Sequence, residues 1–264
     1  MKPHPLSRIS SVLRVATFAL VATAVVAQPA FEQPFSREPV ESVDVRRAQY
    51  LDRIQQMQDW RIGLYAEKDF TTMDNSAMAM LLMRGEKIEE CNRRVIELME
   101  TPGTGPFWMF PVTMVAYAGR DKLSPEARGA IRDAWRTTRQ LRGDTENHWV
   151  MYHTAMYLMA QMYPDDPGTE WWNGLSSAEN FREGEGWLLD WMNITTTIGQ
   201  GEYNATHYLG EYAIPLIMLK VWADDPVMRQ RASIVLDWLF AELATVEVSA
   251  DGQQWHAFDC SATE

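Results

Sequence analysis

The sequence predicts an all-α protein, and three observations carry that expectation. After residue 43 strand signals are scarce and apolar residues recur at helical spacing. Segments without a single Asp, Glu, Lys or Arg alternate with segments charged on nearly every turn. Serines, prolines and glycines stand where helices should start and stop.

The first element is a leader. Lys2, Arg8 and Arg14 precede an apolar run from Val15 to Val26, and Val25 and Ala27 fit a small-residue cleavage site. Residues 1–27 therefore read as a signal peptide. The run is too short to span a bilayer, which takes about 20 residues, and no later stretch is long and apolar enough. The expected destination is periplasmic or secreted, with no membrane span once the leader is removed. Residues 28–43 hold three prolines and read as a disordered lead-in.

Charged, outer helices are expected at about 44–66, 85–100, 124–142, 176–195 and 226–246. Apolar, inner helices are expected at about 72–83, 107–118, 146–163 and 206–223. A helix that is apolar all round is buried, and one with a charged face lies at the surface. Ser124, Pro125 and Glu126 form a helix start, as do Ser176 or Ser177 with Glu179. Gly119, Gly143 and Gly199 are expected stops, while Pro111 and Pro215 should kink the inner helices that hold them. Residues 247–264 do not continue the pattern and read as an irregular tail. Regular inner/outer alternation with short loops is the pattern of an (α/α) toroid of helical hairpins over residues 44–246. About four inner helices make it a partial one, where a full toroid needs roughly a dozen helices in all.

Composition narrows the partners. The formal charge is −12, and removing the leader takes away three positive charges. Such a chain lacks the clustered Lys and Arg that phosphate contacts require, so nucleic acid is not an expected partner. No Cys/His set has zinc-ligand spacing, and neither a metal nor a cofactor is expected. Cys91 and Cys260 are the only cysteines, and one disulfide between them is possible after export.

If inner and outer helices alternate, the inner ones run parallel and their N-termini share one mouth. The polar clusters fall there. One is Asp144 to His148, opening the helix from 146. Another is Glu202 to Tyr208, opening the helix from 206. Phe107, Trp108 and Phe110 add aromatic surface at the start of a third. Capping explains Asp144 or Thr145, and a first-turn acid explains Glu146. Capping does not explain Asn147 and His148 opening an otherwise apolar helix, or the crowd of Tyr203, His207, Tyr208 and Tyr212. His153 lies deeper, with a core role as the simplest reading. Arg139 and Arg142, ending the preceding outer helix, are the candidate basic patch.

An Asn-His pair at an inner helix start, followed by a tyrosine at the start of the next, resembles the (α/α)-toroid polysaccharide lyases of heparinase II/III and alginate lyase type. The resemblance covers roughly residues 70–246. It implies a fold of toroidal hairpins and β-elimination on a uronate-containing polysaccharide. Asn147 and His148 would then neutralise the uronate carboxylate, and Tyr203 with His207 would handle proton transfer. Trp108, Glu146, Arg142, Glu202 and Tyr208 would contact the poly- or oligosaccharide. The family's further helices and β-sandwich are not legible here. Two alternatives stay open: a toroid glycoside hydrolase using carboxylates among Glu146, Glu202 and Glu211, and a non-catalytic sugar-binding or inactive relative.

Overall fold

The computed structural model describes residues 42–202, 205, 208–246, 248–250 and 253–255. The leader, nearly all of the lead-in, Tyr203, His207 and Cys260 lie outside the described residues. The chain divides into two units, residues 1–53 and 54–264. The helix α1 (Val43–Ala66) belongs to the first up to Arg53 and to the second from Ile54. In the first unit the described part is helix start, with the Asp44 amide donating to Ser42 Oγ at 3.2 Å.

Among its described residues the second unit consists of helices joined by loops, and one pair of short strands. After α1 come α2 (Asn75–Arg84), α3 (Ile88–Met99), α4 (Pro106–Ala118), α5 (Pro125–Thr137), α6 (Glu146–Met162), α7 (Ser177–Ile198), α8 (Leu209–Trp222) and α9 (Pro226–Val246). The caps expected at Ser124 and Ser176 are present, whereas Thr145, which precedes α6, makes no side-chain capping bond. Ser124 Oγ accepts the Ala127 amide at 3.2 Å, with Pro125 following. Ser176 and Glu179 form a reciprocal capping box. Asp74 caps α2 and accepts Arg61 at 2.7 Å and the Tyr65 hydroxyl at 2.6 Å, tying the end of α1 to the start of α2.

The helices form two layers. In one, α2 packs on α4, α4 on α6 and α6 on α8; in the other, α3 packs on α5 and α7 on α9. Contacts at both ends show that α4, α6 and α8 run the same way. At their starts the Phe107 and His148 rings meet at 5.3 Å, and Asn147 reaches Glu202, which precedes α8. At their ends the Tyr117 hydroxyl donates to Leu158 O at 2.7 Å, and Gln161 Nε2 donates to Trp222 O at 2.8 Å. Both sets hold at once only for parallel helices. The core between the layers centres on Trp135, which is fully buried with Trp108 at 6.0 Å and Trp171 at 5.9 Å. Gly184 brings α7 close to α6: a Cβ there would stand 3.1 Å from His153 O and 3.2 Å from Tyr157.

Four expectations need correcting. The outer helix expected over 124–142 stops at Thr137. The cause is Gln140, whose buried side chain accepts the Gly105 amide at 3.0 Å and so draws the chain out of helix. Arg139 and Arg142 therefore stand in a loop, and Gly143 is not a helix stop. The helix α8, expected as an apolar inner helix, is not buried all round: Ile214, Ile217 and Val221 are exposed. The tail is not wholly irregular, because Val248–Ala250 and Gln253–Trp255 pair as antiparallel strands with Ser249 opposite Gln254. Among the described residues no helix is long and apolar enough to cross a membrane.

Candidate functional site

The shared N-terminal end of α6 and α8 collects the polar chemistry. Glu146 is the first residue of α6, where a carboxylate suits the helix dipole, but its oxygens reach outward. Oε1 accepts the Trp191 indole N–H of α7 at 2.7 Å. Oε2 accepts the Glu202 amide at 2.9 Å and lies 3.2 Å from the Tyr212 hydroxyl. Gly201 makes this approach possible, since a Cβ there would stand 2.9 Å from Glu146 Oε2.

Glu202 in turn caps α6 from outside. Its Oε2 accepts the Asn147 backbone amide at 3.0 Å, the Asn147 side-chain amide at 2.9 Å, and the Tyr212 hydroxyl in a short contact. A carboxylate therefore sits on a helix N-terminus with two donors from one residue, the standard means of holding an anion there. The two carboxylates share Tyr212, which is 1% exposed. Its hydroxyl pKa is pushed up, first by burial and then by the Glu202 and Glu146 carboxylates it faces.

Glu202→Ala is expected to destabilise the protein by about 3 kcal/mol. Hydrogen bonds to a charged group contribute roughly 1.5–3 kcal/mol each, and three end on this oxygen; Tyr212 keeps Glu146 as a second acceptor, which limits the loss. At roughly 2–4 °C per kcal/mol for a chain of this size, the thermal midpoint should fall by roughly 6–12 °C. A fall below about 2 °C would mean that the network does not hold the loop.

Aromatic side chains surround this network. The His148 ring stands edge-on to Phe107 and against Gly143, where φ is +80° and a Cβ would lie 2.5 Å from His148 Nδ1. His148 Nδ1 is 3.9 Å from Asp144 Oδ1, an ion-pair distance with no hydrogen bond. Trp149 donates its indole N–H to Gly143 O at 3.0 Å, and the Arg142 guanidinium lies 4.4 Å from its ring centre. From the interior a column of stacked rings leads to the network: His153 to Trp187 at 4.5 Å, Trp187 to Trp191 at 6.2 Å, and Trp191 to Tyr212 at 5.8 Å.

His153 is not a satisfied core histidine. It is buried, neither ring nitrogen has a hydrogen-bond partner, and burial holds its pKa down to about 3, with Arg142 adding to the effect. The fold keeps it neutral, whereas the unfolded chain protonates it near pH 6.5. Stability is therefore lost as pH falls from 6.5, by about 2 kcal/mol at pH 5. His153→Phe keeps a ring against Trp187 and cannot titrate, so the stability difference between variant and parent should change by about that amount between pH 7 and 5 in chemical unfolding. An unchanged difference refutes the assignment.

Glu146, Asn147 and Glu202 thus meet in one network, with His148 and Arg142 at the same end. Tyr208 immediately precedes α8 and is 40% exposed. Trp108 goes elsewhere: the helix turns it from Phe107, which faces His148, toward Trp135 in the core. Tyr203 and His207 lie outside the described residues. The sequence places Tyr212 in the crowd at the mouth without a role, and does not single out Trp191. The available signal was spacing, since Trp187 and Trp191 stand four apart on α7, and Tyr208 and Tyr212 four apart on the next inner helix. Among the described residues no group of three His, Cys, Asp or Glu side chains is placed to hold a metal ion.

Set against known proteins, the chain matches no family model, no curated protein and no solved structure.

Proposed function

We propose that the chain is an exported carbohydrate-active enzyme on a partial (α/α) toroid, a polysaccharide lyase that cleaves a uronate-containing polymer by β-elimination. The observation that carries this reading is the carboxylate held by Asn147. A proton next to a carboxylate is weakly acidic until that carboxylate is neutralised, and two aligned N–H donors at a helix start supply the stabilisation. In the described arrangement Glu202 fills that place at 3.0 and 2.9 Å. A substrate uronate would take it over, with Glu202 withdrawing on the loop that contains Gly199 and Gly201. Arg142 on Trp149, with exposed Phe107 and Tyr208, offers a cation and flat apolar faces for sugar rings. Tyr203, next to Glu202 in sequence, would be the acid or base at the glycosidic oxygen.

A second reading, hydrolysis, is favoured by one specific observation: Glu146 and Glu202 converge on Tyr212. Paired carboxylates are the machinery of glycoside hydrolases. A panel of uronate-containing and neutral glycans, read for ultraviolet absorbance and for reducing ends, separates the classes. The lyase reading expects new absorbing, unsaturated ends. Reducing ends without absorbance would replace it with hydrolysis, and neither signal would leave a sugar-binding protein. The export component has its own test, because the mature chain should begin near Gln28 by mass spectrometry of protein from its native host. Retention of residues 1–27 would overturn it.

A further inference from the structure

Three tryptophans and a tyrosine run from the surface to the carboxylate network at the start of α6. Trp149 is partly exposed, and its ring meets Trp187 edge-on at 6.1 Å. Trp187 lies nearly parallel to Trp191 at 6.2 Å, and Trp191 nearly parallel to Tyr212 at 5.8 Å. Every gap is a contact distance for aromatic rings. An electron therefore has only short steps to cross between solvent and a tyrosine that is 1% exposed.

The charges along this column are ordered. At the outer end the Arg142 guanidinium lies 4.4 Å from the Trp149 ring centre. A cation there disfavours an electron vacancy on Trp149 and drives it inward. At the inner end the polar hydrogens meet carboxylates. Trp191 donates to Glu146 at 2.7 Å, and the Tyr212 hydroxyl lies between Glu202 and Glu146. Negative charge stabilises the vacancy on these rings, and a base within hydrogen-bond reach takes the proton that an oxidised phenol must release. His153, stacked on Trp187 at 4.5 Å, is held neutral by burial and adds no opposing charge. The core indoles lack this arrangement. Trp171 donates to the Ser177 hydroxyl with the Arg132 guanidinium 4.5 Å from its ring, and the Trp135 N–H has no acceptor.

We propose that Tyr212 is a redox-active residue, oxidised by one electron through Trp191, Trp187 and Trp149 when an oxidising radical strikes the surface. The radical takes one electron at Trp149 and leaves as its anion. Trp187, Trp191 and Tyr212 then each give an electron to the ring outside them, so every indole is restored. In the last step the Tyr212 O–H bond breaks, and its proton forms an O–H bond to Glu202. The products are one reduced anion, one neutral tyrosyl radical and one protonated carboxyl, so charge, electrons and protons balance. The fold thereby moves damage from an exposed indole to a phenoxyl enclosed by protein. The activity uses the carboxylates of the mouth but no carbohydrate chemistry, and it stands whether or not the chain is a lyase.

The test is pulse radiolysis of the full chain with the azide radical, which at neutral pH attacks tryptophan in preference to tyrosine. Tryptophanyl absorbance should appear first. Part of it should convert to tyrosyl absorbance at a rate independent of protein concentration, as transfer within one molecule requires. Tyr212→Phe should abolish this conversion and leave the initial tryptophanyl yield unchanged. Trp191→Phe keeps Tyr212 but removes the oxidisable ring before it, and should abolish the conversion too. Trp149→Phe, at the exposed end, should reduce the converting fraction without touching the interior. Circular dichroism confirms the fold of each variant, and the Trp149 variant decides even where an interior one does not fold. Absence of conversion in the parent overturns the proposal. So do conversion that survives in folded Tyr212→Phe or Trp191→Phe, and a converting fraction unchanged in Trp149→Phe.

Discussion

On the lyase reading, Tyr203→Phe is expected to abolish elimination while leaving the thermal midpoint in place, because it removes one hydroxyl from a residue beside Glu202 and no apolar surface. Asn147→Ala is expected to reduce turnover by roughly 10²- to 10³-fold, the scale on which loss of one oxyanion-type donor acts. That variant also breaks the side-chain bond to Glu202, so its midpoint should drop where that of Tyr203→Phe does not. Activity and unfolding measured on the same samples separate the two contributions. Full activity in Tyr203→Phe together with an inactive Glu202→Gln would transfer the chemistry to the carboxylate pair.

The second large effect is alkaline unfolding. Tyr117, Tyr152, Tyr157 and Tyr212 are buried, and burial raises all four hydroxyl pKa values, that of Tyr152 to about 12. A raised value means that the folded state holds its proton when the unfolded state has released it. The stability concerned is complete below pH 10, the ordinary tyrosine range, and is lost as pH rises above it. Each group removes about 1.4 kcal/mol per pH unit, so four together remove about 5.5 kcal/mol per unit. Cys91, raised to about 12 by burial, acts with the same sign. A domain stable by roughly 5–15 kcal/mol cannot sustain this far above pH 11. Urea unfolding should give similar midpoints at pH 8 and 9 and a steep fall between 10 and 11.5. Tyrosinate absorbance should appear in the same transition. A midpoint at pH 11 equal to that at pH 9 would show these hydroxyls to be in contact with water.

Much of this arrangement was legible before any coordinates. Helix positions followed from periodicity, because the inner segments carry so few charges that hydrophobic contrast locates them within a few residues. The meeting of Asn147 with Glu202 followed from parity alone: one outer helix between two inner ones returns the chain to the same end. What sequence could not carry was side-chain direction and long-range demand. The end of α5 depends on Gln140 answering an amide 35 residues earlier, which no local signal reports. Trp108 and Phe107 are adjacent, yet one faces the core and the other the mouth. Tyr212 is placed at the mouth by the sequence, but only the structure shows its hydroxyl between two carboxylates. The exposed Ile214, Ile217 and Val221 show the limit of composition, since an apolar helix predicts that something covers it without saying what.

The indole of Trp191 gives the mouth its own optical signal. It is nearly excluded from water, stacked between Trp187 and Tyr212, and bonded through its N–H to Glu146. Any ligand that draws Glu146 or Glu202 from its place alters the field at that chromophore, so occupancy can be followed as a change in intrinsic emission without a label. Trp191→Phe subtracts this contribution from those of the other tryptophans, which turns a packing detail of α7 into a direct readout of events at the start of α6.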